Sequence, residues 1–421
     1  MASDRRTRTA VVGSGIAGLT AAHLLARTDR VALFESEPRL GGHAHTHLVP
    51  GASGPVAVDS GFIVHNDRTY PLLTRLFAEL GVATRDTEMS MSISDPATGI
   101  EYAGGKGLGG FLARPRQLLR TDYLEVLASA RRFHRLASAF LADSDDLDST
   151  TFGDFLAAHS FSPRFRELYA VPLVSCVWST GRADALGYPA RYLFRFLAHH
   201  GMLSVGDSPQ WRTVVGGSAR YVEAIAQEIP DVRRGAKVTA IARHPDGATI
   251  WHSGDCEDFD RVVIATHADT ALGLLTDASP AEKEVLGAFR YTINHTVLHR
   301  DPRLLPRAPR ARASWNYLVA PPGSSRPPIV TYWMNKLQGL DPADPLLVTL
   351  NAPEAIAPDL IIAQMTYSHP VYDLPAIAAH RRLPEITSGT TAYAGAYHGW
   401  GFHEDGCRSG VAAAAAFGSA W

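Results

Sequence analysis

The sequence predicts an α/β fold in which a Rossmann-like nucleotide-binding lobe is interrupted by an inserted α+β lobe. Three observations predict it. A glycine fingerprint sits between two short apolar runs in "TAVVGSGIAGLTAAHLLARTDRVALFE", residues 9–35. A second buried-strand pattern, "DRVVIATHA", returns at residues 260–268. Between them, "YLEVLASARRFHRLASAFLA" and "SPRFRELYAVPLVSCVWST" carry the apolar spacing of helices.

The opening stretch reads as strand, tight turn, helix and strand. Ala10, Val11 and Val12 form an apolar run suited to a buried parallel strand. Gly13, Gly15 and Gly18 make G-x-G-x-x-G, with Ile16 and Ala17 in the first helical turn. The first glycine permits the turn, the second lets backbone approach a pyrophosphate, and the helix start offers N–H groups and a positive dipole. Val31 to Phe34 form the second strand. Glu35, followed by Ser36, closes it at the spacing where a carboxylate takes the ribose hydroxyls of an adenosine.

The nucleotide lobe is expected over 1–75, 210–290 and 385–421. The inserted lobe is expected over 76–209, mostly helical, and 291–384, richer in β-branched and aromatic runs. Proline clusters in "DPRLLPRAPRAR" and "VAPPGSSRPP" mark loops.

Composition narrows the function classes. The chain has 421 residues, 46% hydrophobic and 19% charged, enough to bury a large core in two lobes. A net charge of -2 predicts no general affinity for nucleic acid. "MASDRRTRTAVVG" carries no apolar signal core, and no run of about 18 apolar residues follows, so a cytoplasmic protein without integral membrane association is expected. Cys176, Cys256 and Cys407 are too scattered for a disulfide framework or a metal-type pair. The chain has only four lysines.

After Glu35 comes "SEPRLGGHAHTH", in which Arg39 precedes the pair Gly41 and Gly42. This resembles the flavin amine oxidase superfamily, where the loop runs beside the FAD pyrophosphate. "AYAGAYHGWGFHEDGCRSGVAAAAAFG" resembles the second FAD segment of that superfamily: a strand, Gly395, a loop, then a helix starting near His403 and Glu404 whose N–H groups face the flavin. The match is closest to a bacterial branch of FAD-dependent, amine-oxidase-like oxidoreductases. It is carried by "VDSGFIVHNDRTYPLLTRLFAELGV" (58–82), "SWNYL" (314–318), "TYWMNKLQGL" (331–340) and "GAYHGWGFHEDGCRSG" (395–410).

The resemblance implies a dissociable FAD, with the Val238 segment beside the adenine. It implies hydride transfer to flavin N5 from a carbon of a mostly apolar small molecule, such as an unsaturated lipid, a polyketide-like compound or an amine, with O2 or another acceptor reoxidising the flavin. A redox-neutral double-bond isomerase and a non-catalytic flavin-binding protein are the alternatives. Two departures turn the expectation away from amines: His43 stands where an arginine or lysine is usual, and Ala396 where an acid is usual. No second G-x-G-x-x-G between strand and helix recurs, so electrons are expected from the substrate and not from NAD(P)H.

Four side chains are candidates for chemistry. His43, the first of three alternating histidines in "HAHTH", is expected to bond the cofactor or hold a proton near neutral pH. The alternation with His45 and His47 would suit a metal only with acidic or cysteine ligands, and none accompanies it. Lys336 would lie on a strand, sharing one face with Tyr332 and Met334, either at flavin N5 or reaching solvent. Tyr397 and Phe402 flank the C-terminal flavin segment as walls of the site. "FLARPRQLLRTDY" (111–123) reads as a solvated helix with an apolar inner face, or as a receiver of an acidic-headed amphiphile.

Overall fold

The computed structural model describes residues 6–52, 54–104, 108–111, 113–143, 149–203, 208–321, 324 and 326–421. A five-stranded parallel sheet lies at its centre, in the order Asp231–Arg233, Arg30–Phe34, Arg8–Val12, Arg261–Ile264, Thr391–Tyr393. Its middle strands are apolar beyond their first residues: Ala10, Val11, Leu33, Val262, Val263 and Ile264 have no exposed surface, as helices on both faces require. The strand sequence mixes the two ends and the middle of the chain, so the sheet closes only when distant segments meet.

Two helices cross on one face of this sheet. The fingerprint helix Ile16–Leu25 is buried along its whole length. The closing helix His403–Ala416 packs on it through Gly406 and Gly410, one turn apart on one face. A Cβ on Gly406 would lie 2.6 Å from Ile16 Cγ2, and one on Gly410 would lie 2.4 Å from the Ala17 carbonyl oxygen. Thr20 Oγ1 donates to Cys407 Sγ at 3.6 Å across the same contact, 387 residues away in sequence. Glycine is needed there because two backbones touch.

A seven-stranded sheet forms the second layer, in the order Ile361–Val371, Arg290–His299, Leu347–Leu350, Ile329–Trp333, Trp315–Leu318, Met91–Asp95, Ile100–Gly104. Its neighbours are antiparallel except Trp315–Leu318 with Met91–Asp95. Residues 84–104, expected to be helical with the rest of 76–209, are therefore strands: "MSISD" and "IEYAG" alternate on the two sides of an Asp-Pro turn. Thr84–Thr87 also pairs with Trp211–Val214, stitching the two regions together.

Helices from Thr121–Asp143 to Ala190–His199 enclose a separate aromatic core around Phe133, whose ring lies within 6.2 Å of Phe152, Phe155, Phe161, Phe165 and Phe194. In the 111–123 segment the expected apolar inner face is confined to its ends, where Phe111 and Tyr123 join a core cluster with Ile93 and Val126; its Leu112 lies outside the described residues. Leu118 and Leu119 are exposed, and between the ends Gln117 turns inward, bonded to the Glu101 backbone at both amide atoms. Arg114 pairs with Glu101 and Arg120 with Asp122. Among the described residues, no helix is long and apolar enough to cross a membrane.

Candidate active site

The fingerprint glycines divide by task. Gly13 has φ +100°, and a Cβ there would lie 2.7 Å from the Ala265 carbonyl oxygen. A Cβ on Gly18 would lie 1.9 Å from the Gly13 oxygen. Both are needed for the turn and for packing. Gly15 differs: a Cβ on it would meet open space, and no side chain caps the helix turn that begins beside it. Open space against uncapped N–H groups suits a pyrophosphate.

Glu35 lies at the end of its strand, 8% exposed. One carboxylate oxygen accepts from Ser14 N (3.0 Å) and the other from Ser36 Oγ (3.1 Å) and Glu37 N (2.9 Å). Ser14 in turn accepts the Gly41 amide, which ties the fingerprint turn to the Gly41–Gly42 loop. Arg39 donates to the Gly42 carbonyl at 2.8 Å. Val238 begins a strand close by, since the Ala236 amide donates to the Glu35 carbonyl at 2.8 Å. Gly395 donates its amide to Ser409 Oγ of the closing helix at 2.9 Å.

The crossing of the two helices sets their starts side by side. Phe402 is the N-cap of the closing helix. His403 stacks on Phe62, with ring centres 3.8 Å apart, and bonds Tyr221. The Glu404 carboxylate accepts the amides of Leu72 (3.1 Å) and Leu73 (2.9 Å), so it caps the helix Pro71–Glu79 and its side chain is committed there. Glu35, the open glycine and two helix starts thus converge at one edge of the parallel sheet, a donor set that suits FAD.

Beyond Gly42 the chain turns to His43, and a polar wall faces it. The rings of Tyr367, His369 and His267 stand 5.0, 5.4 and 6.2 Å from the His43 ring. His43, His267 and His369 keep open surface while lying deep in the molecule, as residues lining an internal space do. Burial, then the neighbouring His369 and His267, push His43 well below the usual histidine range. His369 is pushed down to about 4 by burial. His43 is therefore neutral at pH 7, and the expected proton near neutral pH is not held there: desolvation opposes the charge.

A chain of amides fixes the His369 tautomer. The His295 amide donates to Asn351 Oδ1 (3.1 Å), Asn351 Nδ2 donates to Asn294 Oδ1 (2.7 Å), and Asn294 Nδ2 donates to His369 Nδ1 (3.0 Å). His369 Nδ1 is thereby an acceptor, and its proton sits on Nε2. A second chain joins His45 Nδ1 to Tyr367 Oη (3.0 Å), Tyr367 Oη to Ser60 Oγ (2.7 Å), and Ser60 Oγ to His47 Nε2 (2.8 Å). The His45 and His47 rings lie 4.0 Å apart and tilted, and the strand begins only at Thr46. Among the described residues, no group of three metal-ligating side chains assembles.

Three candidates lie elsewhere. The strand carrying Tyr332 ends at Trp333, and Met334–Leu337 is a helical turn, so Tyr332, Met334 and Lys336 do not alternate on one face. Asn335 ends the strand by bonding the backbone of Leu346, Asp341 and Asp344. Lys336 Nζ lies 3.2 Å from both Glu88 oxygens and 5.4 Å above the Trp333 ring. Tyr397 is 2% exposed and packs against Phe289 in the core, because its ring folds back over Gly395. Phe402 lies on the far side of the helix start from His403 and stacks on Phe196 at 5.0 Å.

Residues 16–297 match the model of the flavin containing amine oxidoreductases. The chain belongs to that family. It is an FAD-dependent oxidoreductase, and non-covalent FAD is the usual mode in the family. In fold it is similar to a CLA-producing fatty acid isomerase from P. acnes (17% identity, TM-score 0.69, covering 97% of this chain and 98% of that one). It is equally similar to cyclohexylamine oxidase from Brevibacterium oxydans IH-35A (18%, 0.69, 98% of each). A putative protoporphyrinogen oxidase from Exiguobacterium sp. 255-15 follows at 16% and 0.65, with 97% of each chain covered. No curated protein matches the chain.

Proposed function

We propose that this oxidoreductase takes hydride from a carbon of a mostly apolar, uncharged reacting group. The observation that carries this is the neutral wall: the rings facing His43 are two imidazoles and a phenol, and burial keeps both imidazoles neutral. A cationic reacting centre would find no compensating acid among them. Bound FAD supplies the two-electron acceptor. The chain's own residues orient and insulate: Glu35 holds the ribose end, the Gly15 turn the pyrophosphate, and the dipole of the closing helix favours negative charge at the ring. His369 Nε2–H donates a hydrogen bond into the space beside His43, and Tyr367 Oη is held there by hydrogen bonds to Ser60 and His45. The segments carrying the parallel sheet form the cofactor lobe, and those carrying the seven-stranded sheet the substrate lobe.

Anaerobic mixing with unsaturated fatty acids, polyketide-like alcohols and primary amines tests this. Bleaching of the flavin by uncharged carbon centres, and not by amines, is the expected result; bleaching by amines alone overturns the reading. A redox-neutral double-bond shift, in which hydride would leave one carbon and return at another, is the second reading, supported by the likeness in fold to the fatty acid isomerase. Anaerobic turnover with no added acceptor would separate it from net oxidation.

A further inference from the structure

Seven large apolar side chains stand exposed among the described residues, and three of them, Leu118 (37%), Leu119 (86%) and Leu124 (45%), fall within seven consecutive positions. Leu48, Val215, Trp251 and Ile293 are scattered one by one through the rest of the chain. The three leucines stand where the short turn Pro115–Leu119 hands over to the helix Thr121–Asp143. A lone exposed leucine is ordinary, but a run of them on one segment marks a surface that something covers.

The helix that follows says what covers it. Its buried side carries Val126, Phe133 and Ala137, packed on the core. At about 100° per residue, the line directly opposite carries Leu124, Ala128, Arg131, Arg135, Ser138 and Ala142, and each of them is exposed. That line runs for about 27 Å and contains no acid. The outer line of an ordinary solvated helix mixes both signs of charge, whereas this one offers only positive charge and small or apolar groups. The charge is available. The guanidinium groups of Arg131, Arg135 and the exposed Arg116 have no ion pair or hydrogen bond among the described residues. The acids nearby are already engaged: Glu101 takes Arg114, and Asp122 takes Arg120 and Arg164. Glu125 lies about 100° round the helix from Leu124 and accepts the Ser162 hydroxyl.

We propose that this face docks on an anionic lipid surface, with Leu118, Leu119 and Leu124 entering the interface and Arg116, Arg131 and Arg135 meeting the phosphates. The helix rests in the plane of the bilayer and does not cross it. Protruding leucines gain by leaving water, and unpaired guanidinium groups gain from a negative surface potential. A second copy of the chain fits less well, because a two-fold contact would set one line of arginines against the other. The inference is independent of the flavin reaction: it gives the enzyme a place to act and leaves its chemistry as it stands.

The test is cosedimentation of the FAD-loaded protein with vesicles of phosphatidylcholine, alone or mixed with phosphatidylglycerol. Partition into the mixed vesicles is expected to exceed partition into phosphatidylcholine by about 10-fold or more, since each arginine near an anionic surface is worth about 5-fold. Arg131→Gln/Arg135→Gln should remove about 10-fold or more of the binding to mixed vesicles and leave the weak binding to phosphatidylcholine unchanged. Leu119→Ser/Leu124→Ser should lower partition into both. All four side chains are exposed, so flavin content and urea midpoint should match the wild type and loss of binding cannot be put down to loss of fold. Absent or equal partition into the two kinds of vesicle overturns the proposal, as does binding to mixed vesicles that survives both double variants. A wild-type dimer that Leu119→Ser/Leu124→Ser converts to a monomer in light scattering also overturns it, by giving the face to a second copy of the chain.

Discussion

Gly410 and Ala17 approach so closely that a Cβ on Gly410 would lie 2.4 Å from the Ala17 carbonyl oxygen. Backbone cannot yield there as a flexible side chain would. Gly410→Ala should therefore cost about 1–3 kcal/mol by overpacking and separate the two helix starts proposed to face the cofactor. Urea unfolding and flavin content of the purified variant are the readouts. A variant with wild-type stability and full FAD would mean that the crossing is looser than described.

Gly15 offers the opposite case. A Cβ there meets nothing, and its backbone φ of -64° is ordinary for any residue. Gly15→Val should fold as well as wild type when both lack flavin, yet fail to bind FAD. Melting of the two apoproteins, followed by reconstitution and ultrafiltration, separates these effects. Retention of FAD by the valine variant would remove the pyrophosphate from this turn.

Lys336 spends its charge on Glu88, and its strand has already ended. Lys336→Met should leave both flavin half-reactions within about 2-fold. Asn294→Ala should slow flavin reduction by about 10-fold or more, the usual worth of a positioned polar group. It should also release His369 from its single tautomer, visible in ring 15N shifts. A large effect of Lys336→Met, or an unchanged His369 ring in Asn294→Ala, would reverse these assignments.

Acid should destabilise the apoprotein. His45, His65, His200, His299, His369, His398 and His403 are pushed from 6.5 down to about 3 or 4, chiefly by burial. Between about pH 4 and 6.5 the unfolded chain binds those protons and the folded chain does not, so stability rises with pH. Asp59 and Asp405 oppose this, because burial raises them from 3.8 to about 6 and the folded chain holds their protons between about pH 4 and 6. Seven groups against two give the histidines the sign. The urea midpoint should be higher at pH 7 than at pH 5; the reverse order would mean that the buried imidazoles carry charge.

The fingerprint, Glu35, the Gly41–Gly42 loop and the closing helix were legible because each is a local pattern that implies its own geometry. The wall opposite His43 was not. Asn294 meets His369 only through the register of Arg290–His299 against Ile361–Val371, where Thr292 lies across from His369, and nothing in either segment announces that pairing. Asn351 is reached through a third strand. The strand expected through Lys336 ends early for a different reason: "TYWMNKL" alternates like a strand, but Asn335 bonds the backbone of the following loop and curls the chain into a turn. Tyr397 sits beside the right glycine, and the turn at Ala396–His398 points its ring the other way.

The bond between Thr20 and Cys407 bears on how the protein is made. The first helix leaves the ribosome with every side chain destined for burial, and the glycine-lined surface that covers it is synthesised 387 residues later. During that interval the apolar face of Ile16–Leu25 has no native partner on the closing helix, a condition that invites off-path association in large chains. The closing helix, whose start lies beside the fingerprint turn, is also the one that ends this exposure.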